Sequence, residues 1–204
     1  MAWVVAEMSM SLDGFVADPS DEVGPLFDWY GNGEVETPSA DPERWTFRTS
    51  EASARYLRDS LESIGALVAG RRLFDVGGWG ETGQPFGEIP VFVVTHAVPE
   101  GWPREDRPMI TFVTDGVESA VEQARAAAGD GWVGVGGANV AKQCLDLGLL
   151  DEVRINLVPV LLGEGIRYFG DLSSVPVTLE DPEVIEGTRV THLIYRVRRA
   201  VRTR

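Results

Sequence analysis

Four short apolar runs constrain this chain most: Trp3 to Met8 (interrupted only by Glu7), Ala66-Leu67-Val68-Ala69, Val91-Phe92-Val93-Val94 and Trp132-Val133-Gly134-Val135. Each is too short for a buried helix and stops at a polar or glycine-rich turn, so each reads as a strand covered on both faces. Helical patterns lie between them. Ser50 is placed to cap a helix from Glu51 to Ser63, with Leu57, Leu61 and Ile64 at helical spacing and Gly65 after it. A short helix starts at Gly70-Arg71-Arg72. Asp115 and Glu118 form a capping-box pattern before the stripe Val117, Val121, Ala124, Ala128, which Gly129 closes. A further helix runs from Ala138 to Leu147 and ends at Gly148.

Beyond about residue 150, strand follows strand. Val153, Ile155 and Leu157 alternate, Pro159 to Gly170 is a glycine-rich loop, and segments near Val177 and from Val190 to Val197 read as a terminal antiparallel pair. This order predicts an α/β fold: a mainly parallel central sheet, helices on both faces and an antiparallel C-terminal edge. The 204 residues show no internal repeat and no linker, so residues 1–204 are expected to form one domain.

Composition narrows the function. The net charge of −14 gives no basic footprint for nucleic acid, and the C-terminal arginines from Arg196 to Arg204 read as a solvated end. A single cysteine, Cys144, rules out an internal disulfide, and it falls on an apolar helical stripe as a core residue would. His96 and His192 have no partners at metal-ligand spacing, so no metal is expected. No apolar run reaches the ~18 residues of a membrane span, and no signal peptide is evident, so a cytoplasmic protein is expected.

Residues 18 to 48 lack periodicity. Eight acids stand there against Arg44 and Arg48, with Leu26, Phe27, Trp29, Tyr30, Trp45 and Phe47 among them. Loops this long are functional lids or disordered segments, and these aromatics point to a loop that packs on something. Trp29, Tyr30, Trp45 and Phe47, with Phe169 further on, are candidates either for an aromatic wall of a binding site or for anchors of their own loops.

Three strand ends carry chemistry suited to an anion. Gly70 permits close backbone approach, and Arg71 and Arg72 offer bidentate donors. Gly136-Gly137-Ala138-Asn139 opens a helix, where free N–H groups favour a phosphate; close strand–helix packing is the other use of such glycines. Thr95-His96 ends a buried strand. In open α/β sheets ligands sit beyond the carboxyl ends of strands, so these sites are expected to converge.

In order and spacing, these segments resemble the dihydrofolate reductase-like family, in particular the bacterial branch that holds the reductase domain of riboflavin biosynthesis. The resemblance is carried by Ser11-Leu12-Asp13-Gly14, Gly70-Arg71-Arg72-Leu73-Phe74, Val94-Thr95-His96, Gly136-Gly137-Ala138, Gly148-Leu149-Leu150-Asp151-Glu152, and Pro159 to Gly165 with Tyr168-Phe169. It implies an NADPH-dependent reductase acting on a small planar heterocycle, pteridine- or pyrimidine-like, in a homodimer. Arg71 would contact the adenosine 2′-phosphate, and Arg72 and Leu73 would reach the phosphates. Thr95 and His96 would flank the adenosine ribose phosphate. Gly136, Gly137, Ala138 and Asn139 would cradle the pyrophosphate. Ala6, Leu162 and Gly163 would lie near the nicotinamide and the substrate. The family often has threonine where this chain has Leu73.

The carboxylic acid that the folate reductases carry on their first helix has no clear counterpart among Glu51, Asp59 and Glu62. Asp13 is the remaining candidate for both substrate binding and proton donation. Either it bonds its own turn backbone, or burial beside the nicotinamide raises its pKa enough to make it an acid. Two alternatives stand beside the reductase: a non-catalytic homodimeric domain of the same fold, and a flavin or deazaflavin in the same cleft.

Overall fold

A computed structural model describes residues 2–39, 42, 46–82, 86–102 and 106–198. Its elements run β1 (Val4–Ser11), β2 (Phe15–Ala17), a 3-10 helix (Gly24–Gly31), β3 (Val35–Pro38), β4 (Thr46–Thr49), α1 (Glu51–Ser63), β5 (Ile64–Gly70), α2 (Arg71–Val76), α3 (Trp79–Thr82), β6 (Val91–Val94), β7 (Ile110–Val113), α4 (Val117–Ala127), β8 (Trp132–Gly136), α5 (Ala138–Asp146), β9 (Glu152–Val158), β10 (Ile166–Arg167), β11 (Glu183–Gly187) and β12 (Val190–Arg196). Eight strands form one sheet in the order β11-β12-β9-β1-β8-β5-β6-β7. The six from β9 to β7 are parallel, while β12 pairs antiparallel with β9 and β11 with β12. This is the expected α/β sheet with its antiparallel C-terminal edge.

Strand periodicity sorts the side chains between two faces. On one face Val4 and Ala6 of β1 and Val133 and Val135 of β8 pack with α4 and α5 in the largest core cluster, which also takes Cys144. Burial pushes the Cys144 thiol pKa up to about 12, so it is an inert core group. The other face carries two separate clusters. Leu26, Trp29, Leu57, Val158 and Val190 form one, under α1 and the 3-10 helix. Phe74, Trp79, Val91, Val93 and Phe112 belong to the second, with Ile64, Leu67 and Ala69 of β5.

Three local expectations are corrected. Gly65 does not end α1 in a turn; the chain passes directly into β5 at Ile64, held by its amide donating to Ser60 O. Helix α4 is not capped by Asp115. Its N-cap is Gly116, at φ 108°, a conformation that a β-carbon disfavours. The penultimate strand is not near Val177 but at Glu183–Gly187, and the earlier segment contributes only an isolated bridge from Leu179 to Val197. Thr178 and its neighbours carry no alternating buried residues to hold a longer pairing.

Candidate active site

Because β1, β5, β6, β8 and β9 are parallel, their carboxyl ends lie along one edge of the sheet, and the sequence-predicted residues gather there. Gly70 caps α2, with ψ 151° ending β5 cleanly. Gly137 caps α5 at φ 93° with no side-chain cap, so the first amides of α5 are unclaimed by any N-cap side chain. The two turns abut. A β-carbon on Gly137 would stand 3.9 Å from the Gly70 amide nitrogen, and one on Gly136 would stand 2.8 Å from Leu73 Cδ2. Leu73 thus packs into the gap between the turns as an apolar filler and contributes no hydroxyl.

The two arginines are held apart by different carboxylates. Arg71 Nε donates to both Asp75 oxygens at 2.8 Å, one helical turn along α2, and its outer nitrogens have no partner among the described residues. Arg72 turns the other way. Its Nε donates to Asp21 Oδ2 at 2.7 Å and its Nη2 to the same oxygen, so most of its fork is engaged and the pairing raises its pKa. Thr95 Oγ1 closes a small turn on Ala97 O at 3.0 Å, and His96 is exposed. Asn139 is exposed and its Oδ1 accepts from Gln143 Nε2 at 2.6 Å. Ala6 is fully buried in the core on the α4/α5 face, so only its backbone can face a ligand.

A cavity of about 370 Å³ opens at the start of α5, lined by Ala138, Asn139 and Lys142 on one side and Arg167, Tyr168 and Gly170 on the other. Lys142 and Arg167 were not singled out in the sequence, although both are cations near the glycine segments. Lys142 shares its charge with Asp146 at 3.1 Å, and Arg167 stacks over Phe15 at 4.5 Å. A larger cavity, about 790 Å³, lies at the opposite, amino-terminal ends of the strands and touches none of the predicted site residues.

Asp13 is where expectation and structure part. Its carboxylate accepts from Ser11 Oγ at 2.6 Å, from the Leu162 amide at 3.1 Å and from the Gly163 amide at 2.7 Å. The Ser11 hydroxyl and the two amides hold its pKa down, to about 2, against a weaker desolvation. The side chain is a clasp between the turn after β1 and the loop after β9, and as an anion it has no proton to give. The expectation of a raised pKa fails because the group is not buried in apolar surroundings but surrounded by donors. The same contacts engage the Leu162 and Gly163 amides.

Trp29 is also corrected as a substrate wall. It is 1% exposed, donates Nε1–H to Ser9 Oγ at 3.0 Å, and is stacked by Tyr30 at 4.0 Å between ring centroids. No ring face is left for a ligand, so it anchors its segment. Phe169 is half-buried against Tyr168, 4.0 Å away. Trp45 lies outside the described residues.

The sequence reading passed over a polar group beneath α1. Glu7 Oε1 accepts from Tyr56 Oη at 2.8 Å and from Asn156 Nδ2 at 3.2 Å. Asn156 Oδ1 lies 2.7 Å from His192 Nδ1, and His192 Nε2 lies 2.8 Å from Ser53 Oγ. The one signal available was Glu7 itself, a carboxylate between the apolar Val4-Val5-Ala6 and Met8 of one strand. Among the described residues no group of three or more His, Cys, Asp or Glu could hold a metal ion, and no helix is long and apolar enough to cross a membrane.

Comparison with known proteins follows this geometry. The RibD C-terminal domain family matches residues 2–193. The uncharacterised Bacillus subtilis (strain 168) protein YyaP is 26% identical over 178 residues, 83% of this chain and 81% of that one. A crystal structure of a protein of Shewanella sp. PV-4, described as a riboflavin biosynthesis protein, superposes with a TM-score of 0.71 at 24% identity, covering 98% of this chain and 100% of its own. A pyrimidine reductase-like protein of Corynebacterium diphtheriae gives 0.59 at 13% identity, covering 98% and 93%. The fold is therefore the dihydrofolate reductase-like one, and with the match spanning almost its whole length, the chain belongs to the RibD C-terminal domain family.

Proposed function

We propose that the protein is an NADPH-dependent reductase that passes a hydride to a small planar heterocycle of pyrimidine or pteridine type. The observation that carries this reading is the start of α5 at the carboxyl edge of the sheet, where Gly137 at φ 93° caps the helix without a side chain and stands beside the Gly70 turn. Turns without side chains admit a phosphate backbone closely, and the α5 amides favour its charge. Arg71, which meets Asp75 through its Nε, is suited to the 2′-phosphate through its outer nitrogens; Arg72, engaged by Asp21, is less so. Family membership and the pyrimidine reductase-like relative support the substrate class. The residues present thus fit the cofactor.

When bound, NADPH supplies the hydride, and the protein's task is to hold its ring against the acceptor. Gly137 and the first amides of α5, beside Gly136, would hold the pyrophosphate, Arg71 would select the phosphorylated ribose, and the Asp13 clasp holds the loop of Leu162 and Gly163.

Calorimetric titration with NADPH and NADH tests this. A charge-assisted bond from Arg71 is worth roughly 1.5–3 kcal/mol, a preference for NADPH of about 10- to 100-fold. Arg71→Ala should erase the preference. If neither nucleotide binds at millimolar concentration, the reductase reading falls.

A further inference from the structure

Two observations place Glu7 beside the cofactor cradle. In the parallel pairing of β1 with β8, Ala6 stands opposite Val135, and both point into the α4/α5 core. The next residues on each strand, Glu7 and Gly136, therefore point together to the other face. There the two apolar clusters share no residue: one lies over β12 and β9, the other over β5 to β7. Glu7 occupies the floor between them, and its side chain keeps 20% of its surface exposed. A carboxylate in that position, next to the glycine that would admit the cofactor, is poorly explained as a core residue.

Its two oxygens are treated differently. Oε1 accepts both the Tyr56 hydroxyl and the Asn156 amide. Among the described residues Oε2 has only Arg154 near it, at 3.9 Å, and Arg154 gives its Nε to Glu152 at 2.7 Å and its Nη1 to Ser60 at 3.0 Å. The chain of donors behind Oε1 has a single consistent direction. Asn156 Oδ1 is an acceptor, so His192 Nδ1 must carry the hydrogen that it receives. Burial holds the His192 pKa down to about 4, so the ring is neutral and its Nε2 accepts from the Ser53 hydroxyl. Ser50 Oγ in turn donates to Ser53 Oγ at 3.2 Å. Tyr56 stacks on His192 at 4.2 Å, and Trp29 meets its edge at 5.1 Å, so the imidazole cannot rotate freely. Tyr56 and Asn156, the latter held by His192, Ser53 and Ser50, thus fix one carboxylate oxygen, while the other has no hydrogen-bond donor among the described residues and only the distant Arg154 charge beside it.

We propose that Glu7 is the acceptor on the floor of the substrate pocket, taking N–H donors of the heterocycle at Oε2, with Asn156 and His192 as its positioning residues. The substrate class narrows accordingly to rings that present an amino or ring N–H edge, since a carboxylate accepts hydrogen bonds and repels a carbonyl edge. This rests on the reductase reading for the presence of a ring at this site, but its test does not depend on the cofactor.

The probes are 4,5-diaminopyrimidine and 4,5-dimethylpyrimidine, in which methyl groups of similar size replace the donors. Each is titrated calorimetrically into the full chain, with and without NADPH. The wild type is expected to bind the diamine at least 10-fold more tightly than the dimethyl compound. Glu7→Gln should weaken the diamine by about 10- to 100-fold and leave the dimethyl compound and NADPH unchanged. Glu7→Asp, which keeps the charge but withdraws it by one methylene, should retain a reduced preference, and it serves if the glutamine variant does not fold. His192→Gln should weaken the diamine alone, by less than Glu7→Gln; a merely structural role would weaken both probes alike. Equal binding of the two probes, binding of neither, or a Glu7→Gln variant that matches the wild type overturns the proposal. A wild type that prefers the diamine but ignores NADPH upholds it and overturns the reductase reading instead.

Discussion

The carboxylate of Asp13 and the amide of Gly163 meet at 2.7 Å although 150 residues separate them in the chain. The contact joins the loop after β1 to the loop after β9, and the Leu12 amide, donating to Val160 O at 2.8 Å, runs beside it. The pairing of β2 with β10 continues the same junction, with the Tyr168 amide donating to Gly14 O at 3.0 Å. The loops after β1 and β9 are therefore clasped together at the candidate active-site edge.

That clasp titrates. The Asp13 pKa in the folded protein, about 2, lies below its ordinary 3.8. Its contribution to stability is thus complete above about pH 4 and is lost as pH falls toward 2. Urea melts across that interval should show the wild type losing stability more steeply than Asp13→Asn, which has no proton to gain. Parallel slopes would show that the clasp carries no charge-dependent strength.

His192 titrates in a higher window. Burial depresses its pKa from 6.5 to about 4, so the unfolded chain takes up a proton first as pH falls. Stability present above pH 6.5 should decline down to pH 4, by on the order of 3 kcal/mol. His192→Gln should start lower and stay flat through the same interval. A variant that declines in step with the wild type would assign the loss to other groups.

Trp29 should behave as core. Trp29→Ala is expected to cost about 3–5 kcal/mol by chemical denaturation. Trp29→Phe, which loses the bond to Ser9 and part of the ring volume, should cost about 1–3 kcal/mol and leave ligand affinity unchanged. A phenylalanine variant with native stability but weakened substrate binding would restore Trp29 as a wall.

Asp75 holds the Nε of Arg71 and sets a negative charge beside the proposed 2′-phosphate site. Asp75→Asn should raise NADPH affinity about 2- to 5-fold at low salt, with the gain shrinking as salt screens it. NADH affinity should not change. A loss of NADPH affinity would mean that Asp75 is needed to orient Arg71.

The strand run at Val91–Val94 was legible to the residue, because a short apolar run between turns has one structural use. The helices at Glu51–Ser63 and Ala138–Asp146 were legible from their spacing and their flanking Ser50 and Gly148. The cap of α4 was misread because Asp115 and Glu118 match a local pattern that the backbone of Gly116 pre-empts. At the site, the glycine turns at Gly70 and Gly136 could be read because their chemistry lies in the backbone and in adjacent residues.

What the sequence determined by itself is the order of strands and helices, the parallel sheet with its antiparallel edge, and the strand ends where a ligand would sit. These follow from periodicity and turn chemistry, which act over a few residues. Only the tertiary structure decided that Asp13 is an anion clasping a distant loop, that Arg72 answers to Asp21 while Arg71 does not, and that Glu7 stands between two apolar clusters with Tyr56, Asn156 and His192 near it. Each of those outcomes depends on donors and charges brought from elsewhere in the chain. The ionisation and role of a side chain are set by those neighbours, and its own segment does not encode them.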